Sequence, residues 1–406
     1  MASPVGGQYI FDNPGTPGVN TAVYVTDSPN TAPPVPVSES DYNVWAIVES
    51  GPVDLNVTRP DGYQGVVVIA DNGEQIYLVS GDLSVNDAGN VGVTDTMVGG
   101  SGNDTITGGP TADVIIGGSG PDTLQGGSGP TTIYGGAGDD LIQGGSGTNL
   151  IFAGLGQDTI DGGSGPNTIY GGAGDLIVGG SGDMTVYGGV GDTISGAIGG
   201  NDLIYGGAGD VITGGAGNDV IYAGPGDTVT GGSGNDTIVG TPGDTLTGGS
   251  GHTLILARSG DQAIFGGSGD TTIRGGFGDT ITGGTEGGND KIFAYSGGVL
   301  VQGGAANETV FGGAGDTIGG GSGHNKLHFQ GGNELLVDSV AGGHDTVFGF
   351  DKGAGDRITF AGQSTTTIQE VIAGQKNVNG NTILFMPDGT RIELVGVSHV
   401  GAGFFV

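Results

Sequence analysis

Between Gly99 and about Phe329 one bulky aliphatic residue returns every eight to ten positions, followed each time by a glycine-rich run. Units read GGSGNDTIT (Gly99 to Thr107), GGSGPDTLQ (Gly117 to Gln125), GGAGNDVIY (Gly214 to Tyr222) and GGSGNDTIV (Gly231 to Val239). The three residues after the Asp predict a short strand, in which only the middle side chain faces inward. That position holds Ile106, Leu124, Ile133, Ile169, Ile212, Ile221, Ile238 and Ile281, which would stack into a narrow aliphatic core. The GGxG run predicts a tight turn, because glycine tolerates positive φ and close backbone approach. Two units make one coil, so like faces recur every 17 to 19 residues. Coils about 4.8 Å apart, about thirteen of them, would form a rod on the order of 60 Å long. The expected fold class is all-β: a right-handed parallel β-roll, or β-solenoid, with a small β cap before it and a β domain after it.

The outward positions split by face. On one face the ninth position of successive coils reads Tyr134, Phe152, Tyr170, Tyr187, Tyr205, Tyr222, Val239, Leu256, Arg274, Phe293, Phe311 and Phe329. The opposite face reads Thr107, Gln125, Gln143, Asp161, Val178, Ser195, Thr213, Thr230, Thr247, Phe265 and Thr282. An apolar patch of that length exceeds what a soluble monomer normally exposes. Three covers are open: a terminal segment of the same chain, a second subunit, or a glycan stacked on the rings. The length of the ladder against the small size of the terminal pieces favours a second subunit.

Outside the repeat the pattern changes. Residues 1–37 read as an extended arm ending in the Pro-rich hinge Thr31 to Val37, and residues 38–97 as a small β domain capping the first coil. The roll is expected over 98–340, and 341–406 as a third, β-rich piece in which Asp388-Gly389 marks a hairpin.

Gly supplies 97 of 406 residues, yet its periodicity signals solenoid turns instead of a disordered linker. Net charge is −34, and Arg59 is the one basic side chain before residue 258. This excludes a basic stripe for nucleic acid or an anionic membrane, and self-repulsion calls for cations. Cysteine is absent, which removes disulfides and thiolate sites. No apolar run approaches transmembrane length, so membrane insertion is not expected. The start, MASPVGGQYIF, lacks the basic and apolar regions of a Sec signal.

The repeat together with the C-terminal segment resembles the RTX (repeats-in-toxin) family, calcium-binding proteins secreted by Gram-negative bacteria through type I machinery. The resemblance covers residues 99–406 and implies Ca2+ as cofactor, an uncleaved C-terminal export signal, and folding outside the calcium-poor cytoplasm. It also implies that the sixth-position Asp ligates the metal: here Asp104, Asp122, Asp140 and Asp158 along one edge, and Asp202, Asp219, Asp236 and Asp290 along the other. Thr131, Asn149, Asn167, Thr253 and Thr271 replace that Asp elsewhere. From Gly171 onward many turns are one residue shorter and carry Asp175, Asp192, Asp210, Asp227, Asp244 and Asp279.

Catalytic signals are weak. No HExxH occurs; His324-Asn-Lys-Leu-His328 has Asn where a general-base Glu would stand. No GxSxG elbow and no phosphate loop are present, and His252 and His344 read as solvated turn residues. The expectation is a secreted, non-enzymatic structural protein that self-assembles into an extracellular fibre, surface layer or biofilm matrix, on or outside a Gram-negative cell. The alternative is an extracellular carbohydrate-binding solenoid using the aromatic ladder on a polysaccharide.

Overall fold

The structure, a computed structural model, describes residues 96–406 other than 197, 259, 286–287 and 339–341. Before residue 96 it describes the strands Tyr9–Phe11, Ala22–Tyr24, Ile47–Val48, Val66–Ala70, Gln75–Leu78 and Ser84–Asn86. The expected arm and N-terminal cap otherwise lie outside the described residues. The chain divides into two compact units, Met1–Gly200 and Asn201–Val406.

In the first unit the short strands Thr105–Thr107, Thr123–Gln125, Leu141–Gln143, Thr159–Asp161, Leu176–Val178 and Thr193–Ser195 form one parallel sheet, the polar face of the sequence. Asp113–Ser119, Thr131–Ala137, Asn149–Leu155, Asn167–Tyr170 and Met184–Tyr187 form the other, the aromatic face. Like residues align coil upon coil: Leu124 with Ile142, Ile133 with Ile151, Tyr134 with Phe152. The middle residue of each short strand is the buried one, and Ile106, Leu124, Ile133 and Ile169 are fully so. Each such side chain contributes about 1.5–3 kcal/mol. A narrow core of one aliphatic per strand can therefore hold only as a stack, never as a single coil.

The second unit repeats this arrangement, with Ile212, Ile221, Ile238 and Ile281 in the core. The roll runs further than residue 340. His344–Phe348 continues the aromatic sheet beside His324–His328, and Arg357–Phe360 continues the polar sheet beside Leu335–Asp338. Arg391–Leu394 then joins His344–Phe348 in parallel and turns back, antiparallel, to Asn381–Phe385. The expected hairpin at Asp388-Gly389 is present, with Gly389 at φ 100°. The C-terminal piece is not purely β: Thr365–Gly374 is an α-helix. Ser364 caps it by accepting the Thr367 N–H, while the Thr367 hydroxyl accepts the Ser364 N–H. That capping box overrides the strand preference of a β-branched run. The apolar end packs back: Phe405 lies edge-on to Phe360 at 6.0 Å and Phe404 stacks on Phe350 at 6.0 Å.

Candidate metal centres

Turn length decides what each carboxylate can do. In the six-residue turn Gly117 to Asp122 the glycines at the second and fourth positions are left-handed (Gly118 at 116°, Gly120 at 119°), while in Gly231 to Asp236 only the second is (Gly232 at 114°). In the five-residue turns only the glycine before the Asp is, as in Gly226 at 79°. In the longer turns closed by Asp122, Asp140, Asp158, Asp219 and Asp236 the Oδ1 alone meets a backbone donor, whereas in the turn Gly108 to Asp113 the Asp113 Oδ2 accepts the Gly109 N–H at 2.7 Å. Asp104 N–H donates to Asp122 Oδ1 (2.7 Å), Asp122 N–H to Asp140 (2.8 Å), and Asp140 N–H to Asp158 (2.8 Å). In the second unit Asp202 N–H donates to Asp219 (2.8 Å) and Asp219 N–H to Asp236 (3.1 Å).

The second oxygen of these groups is left over. Oδ2 of Asp122, Asp140, Asp158, Asp219 and Asp236 is buried and accepts no hydrogen bond. An unmatched buried acceptor costs about 1–3 kcal/mol, more when charged. Burial accordingly raises all five carboxyl groups above the ordinary range, with Asp140, Asp158 and Asp219 at about 6. At Asp122, Asp140, Asp219 and Asp236 the Oδ2 faces a backbone carbonyl of the next coil across a space left by a glycine, whereas Ala153 holds that place in the turn ending in Asp158. A Cβ on Gly231 would lie 2.5 Å from Gly248 O and 2.7 Å from Asp236 Oδ2. At Gly117 it would collide with Asp122 Oδ2 and Gly135 O. A carboxylate oxygen and a carbonyl converging on one small space suit a hard, oxygen-seeking cation such as calcium. No cluster of three acidic or imidazole side chains that could hold a metal occurs among the described residues, so each centre here would draw one side chain per turn and fill the rest from backbone.

The shortened turns answer their own charge. Asp227 Oδ2 accepts the N–H of Gly224 (2.7 Å) and its Oδ1 that of Asp210 (2.8 Å). Asp175, Asp244, Asp279 and Asp316 are held in the same two-handed way. Asp290, expected among the ligands, also behaves so. It lies after a longer loop, and its two oxygens accept Thr271 N–H (2.8 Å) and Gly284 N–H (2.6 Å). Where Thr stands for Asp, the hydroxyl donates to the carbonyl of the turn's first glycine: Thr131 to Gly126 (2.8 Å), Thr253 to Gly248 (2.8 Å), Thr271 to Gly266 (2.6 Å). Asn149 donates instead to Asn167 Oδ1 at 2.8 Å. Asp104 and Asp202, buried like the rest, head the two runs.

Sequence reading passed over Glu308. It closes the six-residue turn Gly303 to Glu308, its Oε1 accepts Gly304 N–H at 2.8 Å, and its buried Oε2 has no hydrogen-bond partner. Burial pushes its carboxyl up to about 8. The signal was its spacing from GG, hidden by the change of residue type.

On the outward face the rings stack. Tyr134, Phe152, Tyr170 and Tyr187 lie 4.8–5.0 Å apart, centroid to centroid, at 4–7°. In the second unit Tyr205 stacks on Tyr222 at 5.0 Å, and Phe293 on Phe311 at 5.1 Å. Phe329 does not join them: it is buried against Phe350, and His328 takes the position opposite Phe311. The stack then continues from Phe311 through His328 to Phe348, 4.7 Å at each step. The unit from Gly320 to His328 places Leu327 inward, so the ring position lies seventeen residues after Phe311, and Phe329, eighteen after it, overshoots by one. His252 is exposed and faces Asp270 at 3.5 Å, whereas His344 begins a strand and its Nε2 lies 2.9 Å from an Arg391 nitrogen. Burial and the neighbouring cation lower the His344 pKa.

A family model for the RTX calcium-binding nonapeptide repeat (4 copies) matches residues 92–124, 125–160, 154–183, 161–194, 198–229, 209–238, 226–255 and 284–318. No curated protein matches the chain. The matched stretches contain every turn with a leftover carboxylate oxygen. Among the described residues no helix is long and apolar enough to cross a membrane.

Proposed function

Because this chain is an RTX β-roll protein that binds calcium, we propose that it is a secreted, non-catalytic structural protein that assembles outside a Gram-negative cell into a fibre, surface layer or biofilm matrix. Calcium drives folding by occupying the six-residue turns closed by Asp122, Asp140, Asp158, Asp219 and Asp236, with Asp104 and Asp202 heading each run. The shortened turns and Asp290 stay metal-free, since backbone N–H groups already occupy both of their oxygens.

The observation that carries assembly is the outward stack of rings. Tyr134, Tyr170, Tyr187 and Tyr222 remain 37–41% exposed. The apolar turn tips Leu155, Val190 and Phe277 are 62–74% exposed. Surface of this kind, repeated over runs of successive coils, suits a partner with the same repeat. Ring orientation also weighs against the carbohydrate reading. Nearly parallel rings with centroids about 5 Å apart cover one another's faces, because rings lying flat and side by side cannot approach so closely. Edges and hydroxyls are what the stack offers, whereas a sugar packs on a ring face.

The test is dialysis of purified protein from chelator into millimolar calcium, followed by light scattering and electron microscopy. Regular polymers that form only with calcium are expected. A folded, monodisperse monomer would overturn the reading.

A further inference from the structure

Eight of the nine Lys and Arg residues lie between 258 and 391, and three of them share one outward face. Arg274, Lys291 and Lys326 are exposed on the aromatic sheet of the second unit. Register places them: Arg274 opposite Phe293, and Lys291 opposite Thr309, which is opposite Lys326. Lys291 and Lys326 are thus two coils, about 10 Å, apart in one row, with Arg274 one coil before Lys291 in the next row. Arg274 sits over the Phe293 ring at 6.0 Å. The acidic group on the same row is Glu393, engaged by Arg391 at 3.2 Å, and Asp270 beside the strip faces His252. No described carboxylate forms an ion pair with any of the three cations. In a chain of net charge −34 this cationic strip runs alongside the stack Phe293, Phe311, His328 and Phe348.

The opposite charge stands at the other end of the chain. Residues 1–95 hold twelve Asp and Glu against Arg59 alone, a net of −11. We propose that the strip formed by Arg274, Lys291 and Lys326 receives the acidic N-terminal region, residues 1–95, of a second copy of this chain. The inference rests on the self-assembly reading and gives it a direction. Two different surfaces meet, so the contact is heterologous, and it grows an open chain where the rotation between copies does not close a ring. Complementary charge of this kind acts first on the rate of encounter and on which faces meet. It weakens as salt shortens the screening length from about 8 Å at physiological ionic strength to about 3 Å at 1 M.

The experiment compares full-length wild type with the triple variant Arg274→Gln, Lys291→Gln, Lys326→Gln in millimolar calcium, by light scattering and electron microscopy. All three side chains are exposed, and a calcium-dependent melt checks that the variant folds. The variant is expected to assemble at least tenfold more slowly and to lose the salt dependence of the wild type. It keeps its own N-terminal region, so added at about one part in ten it should bind growing ends and shorten wild-type polymers. Equal assembly of variant and wild type, or no shortening in the mixture, overturns this proposal and leaves the self-assembly reading standing. No association of the wild type under any calcium concentration overturns both. Retention of monomeric wild type, but not the variant, on alginate would assign the strip to a polyanionic glycan and overturn the second-copy contact.

Discussion

Replacing one carboxylate by its amide separates calcium turns from self-sufficient ones. In Asp140→Asn the amide oxygen can still accept the Asp122 N–H now held at 2.8 Å, and the position of Oδ2 loses its charge. Without metal that oxygen has no hydrogen-bond partner, and burial holds the carboxyl at about 6. Metal-free protein should therefore be unchanged or gain up to about 1 kcal/mol, discounted for solvent reaching the turn. With calcium at about one hundred times Kd, a lost site removes about 2.7 kcal/mol of linked stability. The difference between the calcium and chelator values should thus be about 3 kcal/mol. Asp227→Asn behaves otherwise. An amide nitrogen cannot accept from either Asp210 N–H or Gly224 N–H, so one donor of the pair is stranded. The cost, about 1–3 kcal/mol, should be the same in calcium and in chelator. Urea denaturation in both buffers gives the two differences, and calorimetric titration gives the calcium count. The reasoning fails if Asp227→Asn loses calcium, or if Asp140→Asn keeps the full count.

The other predictions concern the cradle, the proton and the rings. Gly117→Ala and Gly231→Ala put a Cβ between carboxylate and carbonyl and should each weaken calcium in titration, toward the affinity of the turn ending in Asp158, where Ala153 already carries a Cβ; Gly226→Ala has open space, so it should cost only its left-handed backbone, about 1 kcal/mol, and leave the count intact. Asp140, Asp158 and Asp219 bind protons more tightly folded than unfolded, so metal-free stability should fall as pH rises from about 4 to about 6, and it should go on falling to about pH 8 as Asp345 and Glu308 ionise. Calcium needs the ionised form, so its affinity at these turns should drop about tenfold per site between pH 7.5 and pH 5, read as a shift of the folding midpoint in circular dichroism. Phe152→Ser with Tyr170→Ser interrupts the stack without touching a turn, and should leave calcium binding unchanged while abolishing calcium-dependent scattering.

Much of the molecule is written in a short period. One inward aliphatic per unit fixed the strands, the two sheets and a core in which Ile106, Leu124, Ile133 and Ile238 are all fully buried. Side-chain alternation is local, so it survives transcription into sequence. Spacing also picked out rings that stack within each unit: Tyr134 through Tyr187 in the first, and Tyr205 with Tyr222 and Phe293 with Phe311 in the second. Where the unit length slips, counting fails: Phe329 goes inward and His328 and Phe348 take the outward positions. The helix Thr365–Gly374 depends on a reciprocal cap that a run of three threonines disguises.

The tertiary structure alone decided which carboxylates have an oxygen to spare. Asp140 and Asp227 look alike in sequence, each ending a short glycine-rich turn. One residue of turn length swings the side chain so that Asp227 meets two backbone donors and Asp140 only one. Composition and period set how many carboxylates line the turns. Whether each faces a donor of its own chain or a space fit for a cation depends on the backbone of the coil beside it, which becomes fixed only when the coils stack.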